Sequence, residues 1–416
     1  GALRASSFVA RSRNAEPLGA QLMERLRSLV LVGGLATFGA CDAAPSPDTS
    51  AARIDSAGVE VVVSPDLAAP RIEIDTVPEI SLGGPEATGP EAFGRVENVV
   101  AGPDDSIWVS DRQAADVKVF NPDGSHRITV GGRGDGPGEF HLIRLLGATG
   151  DSVAVFDIGS RRLTWFGLDG ALLSTSDVSS RDGTSPLVYD VADDNHLVGV
   201  ESVSLAIDDV EEGSTYGGTV PFSIWTSPDE APAEFTSEPS AIFIWQGRGA
   251  TTAVPFTSTA QLTAHGDDLD VAAGIRFEIR RYATDGTLRR IARVAREPVP
   301  VDGAARADFQ EFVENAWPPA RRDAAIDALD HPAVPEFVPS YRFLVGGTDG
   351  STWAYRFAPI PGGQPWDVFL PDGSFAGSVS VPPAFQVTAA TAESIVGYWT
   401  DELGVHHVRR YRIIGA

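Results

Sequence analysis

Short segments of alternating apolar and polar residues recur along the chain and predict β-strands. Ile107–Asp111 (IWVSD) recurs 46 residues later as residues 153–157 (VAVFD), and residues 118–124 (KVFNPDG) recur at the same spacing as residues 164–170 (TWFGLDG). Asp-Gly and Pro-Asp turns separate these strands, a pattern typical of antiparallel hairpins. Since four strands in some 46 residues make one propeller blade, the sequence predicts an all-β fold built from tandem blades.

Later repeats are degenerate, but an aromatic residue four positions before a turn glycine still marks them. Such residues are Phe120, Phe166, Tyr282 and Phe369, and Trp225 begins a further copy. The sixth repeat, residues 385–413, lacks a fourth strand, which we expect residues 71–77 to supply from the N-terminal side. This would close a six-bladed ring and remove two open sheet edges. The pairing of residues 58–63 stays open, with an extension of the same sheet as one alternative.

One segment between two blades has helical rather than strand periodicity. Phe309, Phe312, Val313 and Ala316 recur at helical spacing, and Pro318-Pro319 interrupts the pattern before it resumes. It predicts a small helical insertion at about residues 302–332 within a propeller that spans residues 57–416.

The N-terminal residues have the pattern of an export signal. A basic start after Met23 leads into an apolar run that is too short to span a bilayer, and then into Phe38-Gly39-Ala40-Cys41. This run resembles a bacterial lipobox, which implies that Cys41 is lipidated; a buried helix with a structural cysteine is the alternative. We interpret residues 1–22 as an upstream extension, 23–40 as a lipoprotein signal peptide and 41–56 as a flexible tether. The expected location is the cell envelope, lipid-anchored and facing the periplasm, with the choice of membrane left open.

The repeat motifs also resemble a known family. Residues 131–140 (GGRGDGPGEF), together with Ile107–Asp111 and residues 119–124 (VFNPDG), are similar to the NHL-type repeats of six-bladed β-propeller lipoproteins over about residues 71–175. The resemblance implies the fold but no single activity, because relatives include binding modules as well as lactonases and lyases.

Charge and composition narrow the function further. Asp and Glu outnumber Lys and Arg by 57 to 32, which argues against nucleic acid as a partner. Cys41 is the only cysteine, so the chain forms no internal disulfide. No zincin, nucleophile-elbow or P-loop pattern occurs, and we expect no cofactor.

Several irregular segments should meet on one face of the propeller, named the looped face here. They are residues 202–219, 239–256, 297–339 and 358–365, which join strands two and three of a blade or connect one blade to the next. Long loops on a rigid scaffold often form a binding site. The side chains predicted to bind a ligand there are Trp245, Trp317, Trp366, Tyr216, Arg133 and Arg356. Alternatively, Trp245 and Trp317 only fix their own loops to the propeller.

Glu97 and Arg144 hold equivalent positions in the first strands of two blades and are predicted to lie at the mouth of the central channel. An ion pair that fills the mouth is the alternative to a functional role. The leading hypothesis is a membrane-tethered binding or interaction module, monomeric, that recognises a small molecule, a glycan or an envelope protein. The alternative is a lactonase or lyase, which would need calcium held by carboxylates at the channel mouth.

Overall fold

A computed structural model of the protein describes most of the chain after the predicted signal segment. The described residues are 50–181, 184–192, 195–203, 211–247, 250–257, 260–357 and 365–415. Cys41, the signal segment, most of the tether and the loop residues 204–210 and 358–364 lie outside them.

Four short strands precede the first blade. They are β1 (Ala52–Ser56), β2 (Val59–Pro65), β3 (Glu73–Ile74) and β4 (Ile80–Gly83). The tether boundary predicted at residue 56 is therefore wrong, because residues 52–56 pair with β2 as an antiparallel hairpin.

Six blades follow in chain order, and within each blade its own strands are antiparallel and arranged consecutively. The first is β5 (Val96–Ala101), β6 (Ile107–Asp111), β7 (Asp116–Phe120) and β8 (His126–Gly131). The second is β9 (Ile143–Thr149), β10 (Ser152–Asp157), β11 (Arg162–Gly167) and β12 (Leu172–Asp177). The third is β13 (Thr184–Val191), β14 (Leu197–Val203), β15 (Thr215–Trp225), β16 (Ala233–Trp245) and β17 (Thr251–Ala253).

The last three sheets complete the set. The fourth is β18 (Gln261–His265), β19 (Asp268–Ala272), β20 (Glu278–Ala283) and β21 (Leu288–Ala295). The fifth is β22 (Tyr341–Gly346), β23 (Thr352–Arg356), β24 (Trp366–Phe369) and β25 (Phe375–Val379). The sixth is β26 (Gln386–Ala390), β27 (Ser394–Thr400) and β28 (His406–Ile414), completed by strands from the N-terminal segment.

The hydrophobic core lies between neighbouring blades. Among the described residues, one buried cluster joins each adjacent pair, including the sixth blade and the first. Trp108 with Phe140, and Trp225 with Phe156, are fully buried examples of such contacts. Because every blade buries both faces against a neighbour, the ring is closed, and the predicted six-bladed β-propeller is confirmed.

An N-terminal strand closes the ring as predicted, but the predicted segment 71–77 supplies only part of the pairing. Most of the pairing to β28 comes from β4, where Leu82 lies opposite Val408. From the predicted segment 71–77, only β3 joins this strand, with Ile74 opposite Ile413. Pro78 separates the two pairing segments, and a proline has no N–H to continue a ladder.

Residues 59–83 form a belt around the outer edges of three blades. Strand β2 pairs in parallel with β21 of the fourth blade, so residues 58–63 do not extend the closing sheet. The backbone N–H of Arg71 then donates to the Ala376 carbonyl of the fifth blade at 2.7 Å. Pro70 crosses that blade at Gly377, which has a φ of 126° and where a Cβ would lie 2.4 Å from the Pro70 Cα. The belt finally reaches the sixth blade through β3 and β4.

The helical insertion contains α1 (Gly303–Ala316) and α2 (Pro319–Asp327), followed by a 3-10 turn (Ala328–Asp330); a second such turn (Gly89–Glu91) precedes the first blade. Asp302 caps α1 by accepting the Ala305 N–H at 3.0 Å. The insertion packs on the long β15–β16 hairpin and the segment after it, through Ala328 with Ile244 and Phe309 with Phe256. The helices and the extended hairpin thus share the looped face.

Candidate functional site

A cavity of about 620 Å³ runs along the propeller axis. Residues of β5, β9, β13, β18, β22 and β26, the first strands of all six blades, line it. Glu97 and Arg144 line it near the start of their strands, whereas Asp190 and His265 line it near the end of theirs. The cavity therefore has different polar groups at its two ends.

Glu97 and Arg144 do not form the ion pair that was the predicted alternative to a functional role. Glu97 instead accepts from Arg112 at 3.3 Å. The guanidinium of Arg144 lies 5.5 Å from the centroid of the Tyr189 ring and has no ion pair within the described part of the chain. Burial raises the pKa of Tyr189, and the nearby charge of Arg144 opposes that rise. Arg144 is thus a cation held by an aromatic face at the cavity wall.

Deeper in the cavity, Asp190 is the group that the sequence did not single out. Its carboxylate accepts from the Ala264 N–H at 2.8 Å and from the Thr263 hydroxyl at 3.0 Å. Burial nevertheless raises its pKa to about 6. Asp190 follows Tyr189 in the degenerate third blade, where no repeat motif marks it. It can therefore change charge in mildly acidic conditions, which is uncommon for an aspartate.

His265 lines the same end but is engaged with a buried ion pair. Its Nε2 lies 2.8 Å from Asp270 Oδ2, and Arg281 binds the other oxygen of that carboxylate at 2.9 Å. Although burial opposes it, the charges and hydrogen bonds of His265 and Arg281 hold the pKa of Asp270 well below its usual range. Since Thr352 of the fifth blade also donates to Asp270, this cluster joins two blades.

The predicted ligand-binding side chains of the looped face do not form one exposed surface. Trp245 and Trp366 were predicted to bind a ligand on this face, but they are buried, at 7% and 1% exposed. Both lie at strand ends that pack into the structure. Tyr216 stacks on Phe243 with ring centroids 5.6 Å apart. Trp317 is half-buried and ends α1.

The two predicted arginines differ from each other. Arg133 is exposed and donates only weakly, to the Gln113 carbonyl at 3.3 Å. Arg356 binds Asp367 at 3.0 Å, and the same buried carboxylate accepts from Arg296 at 2.7 Å. The charge of Arg356 is thus already used within the fold, where it helps to join the fourth and fifth blades.

A second, smaller cavity of about 350 Å³ adjoins the axial one and shares Phe343 and Gln386 with it. Trp366 is one of the residues that line it. The sequence had placed Trp366 on the looped face but gave no sign of its neighbours.

The arrangement of the donors does not fit the calcium ion that the alternative hypothesis needs. Within the described ranges, no group of three or more His, Cys, Asp or Glu side chains could hold a metal ion. Glu97 and Asp190 lie toward opposite ends of the axial cavity. The side chain of Asn98 is occupied, because it donates to the Leu145 carbonyl and accepts the Val99 N–H.

The geometry defines the class of the protein as a six-bladed β-propeller. Residues 91–194 match a family model described as a 6-bladed beta-propeller, which supports the predicted resemblance to such propellers. A search of curated proteins gave no significant match.

Solved structures that resemble the chain do so at low identity. A Bacteroides fragilis protein provisionally described as exported shares 10% identity, with 86% of this chain and 99% of that one covered and a TM-score of 0.46. A virginiamycin B lyase from Staphylococcus aureus shares 11%, covering 80% and 99%, with a TM-score of 0.37. A gluconolactonase from Xanthomonas campestris shares 13%, covering 86% and 100%, with a TM-score of 0.35. At these values the alignments identify neither a ligand nor an activity.

No helix in the described ranges is both long and apolar enough to cross a bilayer.

Proposed function

We propose that this propeller is a binding protein of the cell envelope whose small-molecule ligand enters the axial cavity from the looped face. The main support for this proposal is the size and lining of the axial cavity. Its volume of about 620 Å³ lies within the range of about 300–1,000 Å³ that is usual for small-molecule sites. A few polar groups converge in it, as such sites require for orientation.

Arg144 and Asp190 favour a polar ligand that carries an anionic group near the mouth. Arg144 has no ion pair in the described part of the chain, so an anion could bind it without displacing a carboxylate. Asp190 would accept a hydrogen bond when ionised and donate one when protonated. Binding is favoured over catalysis because His265 is committed to Asp270 and the donors for calcium do not converge.

Equilibrium binding to a panel of small carboxylates, sugars and peptides tests the proposal. We expect at least one anionic member to bind the full chain, and its affinity to fall about tenfold or more in Arg144→Gln, the loss of about 1.4 kcal/mol. Ala148→Trp, which places a large side chain on the cavity wall, should block binding. Arg289→Gln removes an exposed arginine on β21 of the fourth blade, away from the residues that line the cavity, and is the matched control. Binding that neither cavity variant reduces would refute the axial site.

The envelope location is a separate proposal that rests on the lipobox-like segment before Cys41. Cys41→Ser should move the protein from the membrane fraction to the soluble fraction without changing its melting temperature, because the residue precedes the described part of the chain that forms the propeller. Retention of the variant in the membrane fraction would show that lipidation is the wrong account. Binding by the released variant would remain measurable, so the two proposals fail independently.

A further inference from the structure

The smaller cavity lies between the fifth and sixth blades and has an aromatic wall. Tyr355 and Trp366 have ring centroids 5.0 Å apart, and Phe343 meets Trp366 edge-to-face at 6.3 Å. The connector between the blades supplies the opposite side, through Pro382, Pro383 and Phe385. Since these rings pack on one another, the wall is preformed. Phe343 and Tyr355 are partly exposed in it, whereas Trp366 is almost fully buried.

One positively charged side chain, that of Arg342, lines this cavity. Arg342 is exposed, and its guanidinium lies 5.9 Å from the centroid of the Phe312 ring on α1. Arg342 has no ion pair in the described part of the chain, and no carboxylate is among the residues that line the cavity. A cavity lined by an arginine and by no carboxylate is unexpected in a chain with a net charge of −25. The cavity is therefore complementary to an anion.

Neutral hydrogen-bond donors at the site add to its complementarity to an anion. The indole N–H of Trp366 is buried and has no acceptor in the described ranges. A buried N–H without a partner is costly, so an acceptor brought by an occupant of the cavity would relieve that cost. Burial raises the pKa of Tyr355, which keeps its hydroxyl protonated at neutral pH. Gln386 lies at the boundary with the axial cavity.

We infer that this cavity binds a small aromatic carboxylate. The ring would lie against the partly exposed side chains of Phe343 and Tyr355, and the carboxylate would face Arg342. A single planar guanidinium matches a carboxylate in geometry and charge, whereas a doubly charged phosphate would leave one charge unpaired against an apolar wall. This subsite lies outside the axial cavity and does not depend on what binds there.

Phenylacetate and phenylacetamide form a matched pair of probes, because they share the ring and differ in charge. By calorimetric titration of the full chain, phenylacetate should bind at millimolar concentration or below, and the amide about tenfold more weakly. Arg342→Gln should reduce the affinity for phenylacetate to that for the amide. Arg342→Lys, which keeps the charge but not the planar fork, should give an intermediate value. Arg289→Gln, at an exposed arginine on β21 of the fourth blade, should leave the affinity unchanged.

Trp366→Phe keeps an aromatic ring and removes only the N–H, so it should weaken phenylacetate binding severalfold while the protein still folds. Thermal melting of each variant checks the fold. Equal affinity for the acid and the amide, no binding of phenylacetate at millimolar concentration, or an unaffected Arg342→Gln variant would each overturn the inference. Loss of phenylacetate binding in Ala148→Trp would place the probe in the axial cavity, which overturns the subsite but not the axial binding proposal.

Discussion

Asp190 should make the stability of the propeller depend on pH in a way that one substitution removes. Its pKa in the folded protein is about 6, above the ordinary value of 3.8, because burial disfavours the charged form. Between these two values the folded protein retains a proton that the unfolded chain has released. The contribution of Asp190 to the free energy of unfolding therefore falls as the pH rises from about 4 to about 6, and it stays low above that range.

The size of the effect follows from the shift. A change of one pKa unit corresponds to about 1.4 kcal/mol. A rise from 3.8 to about 6 thus predicts a loss of about 3 kcal/mol at neutral pH relative to pH 4. Asp190→Asn has no charge to bury, and its amide oxygen can still accept from Ala264 and Thr263. The variant should match the native chain near pH 4 and be more stable by up to about 3 kcal/mol near pH 7.

Urea denaturation of the full chain at a series of pH values measures the difference between the two proteins. Other carboxylates titrate equally in both, so their contributions cancel. Asp151→Asn, in an exposed turn, is the control and should show no such trend. Thr263→Val removes one of the donors that favours the ionised form, so it should raise the pKa of Asp190 and steepen the dependence. A stability difference between Asp190→Asn and the native chain that stays constant with pH would refute the reasoning.

Further predictions concern the belt and its ion pairs. Removing residues 1–66 should lower the free energy of unfolding by several kcal/mol, because β2 and the buried Val62 are lost. Removal through residue 84 should prevent folding. Equal melting temperatures for the two truncated proteins would contradict ring closure by the N-terminal strands. Asp367→Asn should cost about 3–5 kcal/mol by urea denaturation, since it leaves Arg296 and Arg356 without their buried partner. Phe312→Ala should weaken phenylacetate binding a few-fold in calorimetry through the loss of a contact to Arg342, and an unchanged affinity would exclude a positioning role.

The repeat could be predicted from sequence where hydrogen bonds between neighbouring residues form the turns of a blade. The Ser106 hydroxyl donates to Asp104 at 2.5 Å and accepts from the Trp108 indole at 2.9 Å. Ser351 likewise donates to Asp349 at 2.6 Å, in a segment with the same residue pattern. Each of these turns forms from residues close in sequence, so the motif alone indicates a blade. Blade number and strand order followed from counting such units.

The pairing of the belt was not predictable, because tertiary position selects its partner. The alternation in residues 59–65 indicates a strand with one buried face but does not say which of several exposed edges it covers. The candidate sites were predicted only in part for the same reason. Glu97 and Arg144 occupy equivalent repeat positions, so their place at the axis could be inferred. The raised pKa of Asp190 and the position of Arg342 at the smaller cavity depend on neighbours that are distant in sequence, so neither could be predicted.

The pairing of the belt also determines the stage of folding at which the ring of blades can close. Arg412, on the last strand, binds Glu79 across 333 residues of sequence, and Arg290 binds Glu60 across 230. Contacts of such long range form slowly, because the intervening chain must first be ordered. While the polypeptide is being synthesised or transported, the first three blades can assemble but the N-terminal strands have no partner. Only when β28 is available does the ring close, so the final segment of the chain is the one that commits the whole molecule to its folded state.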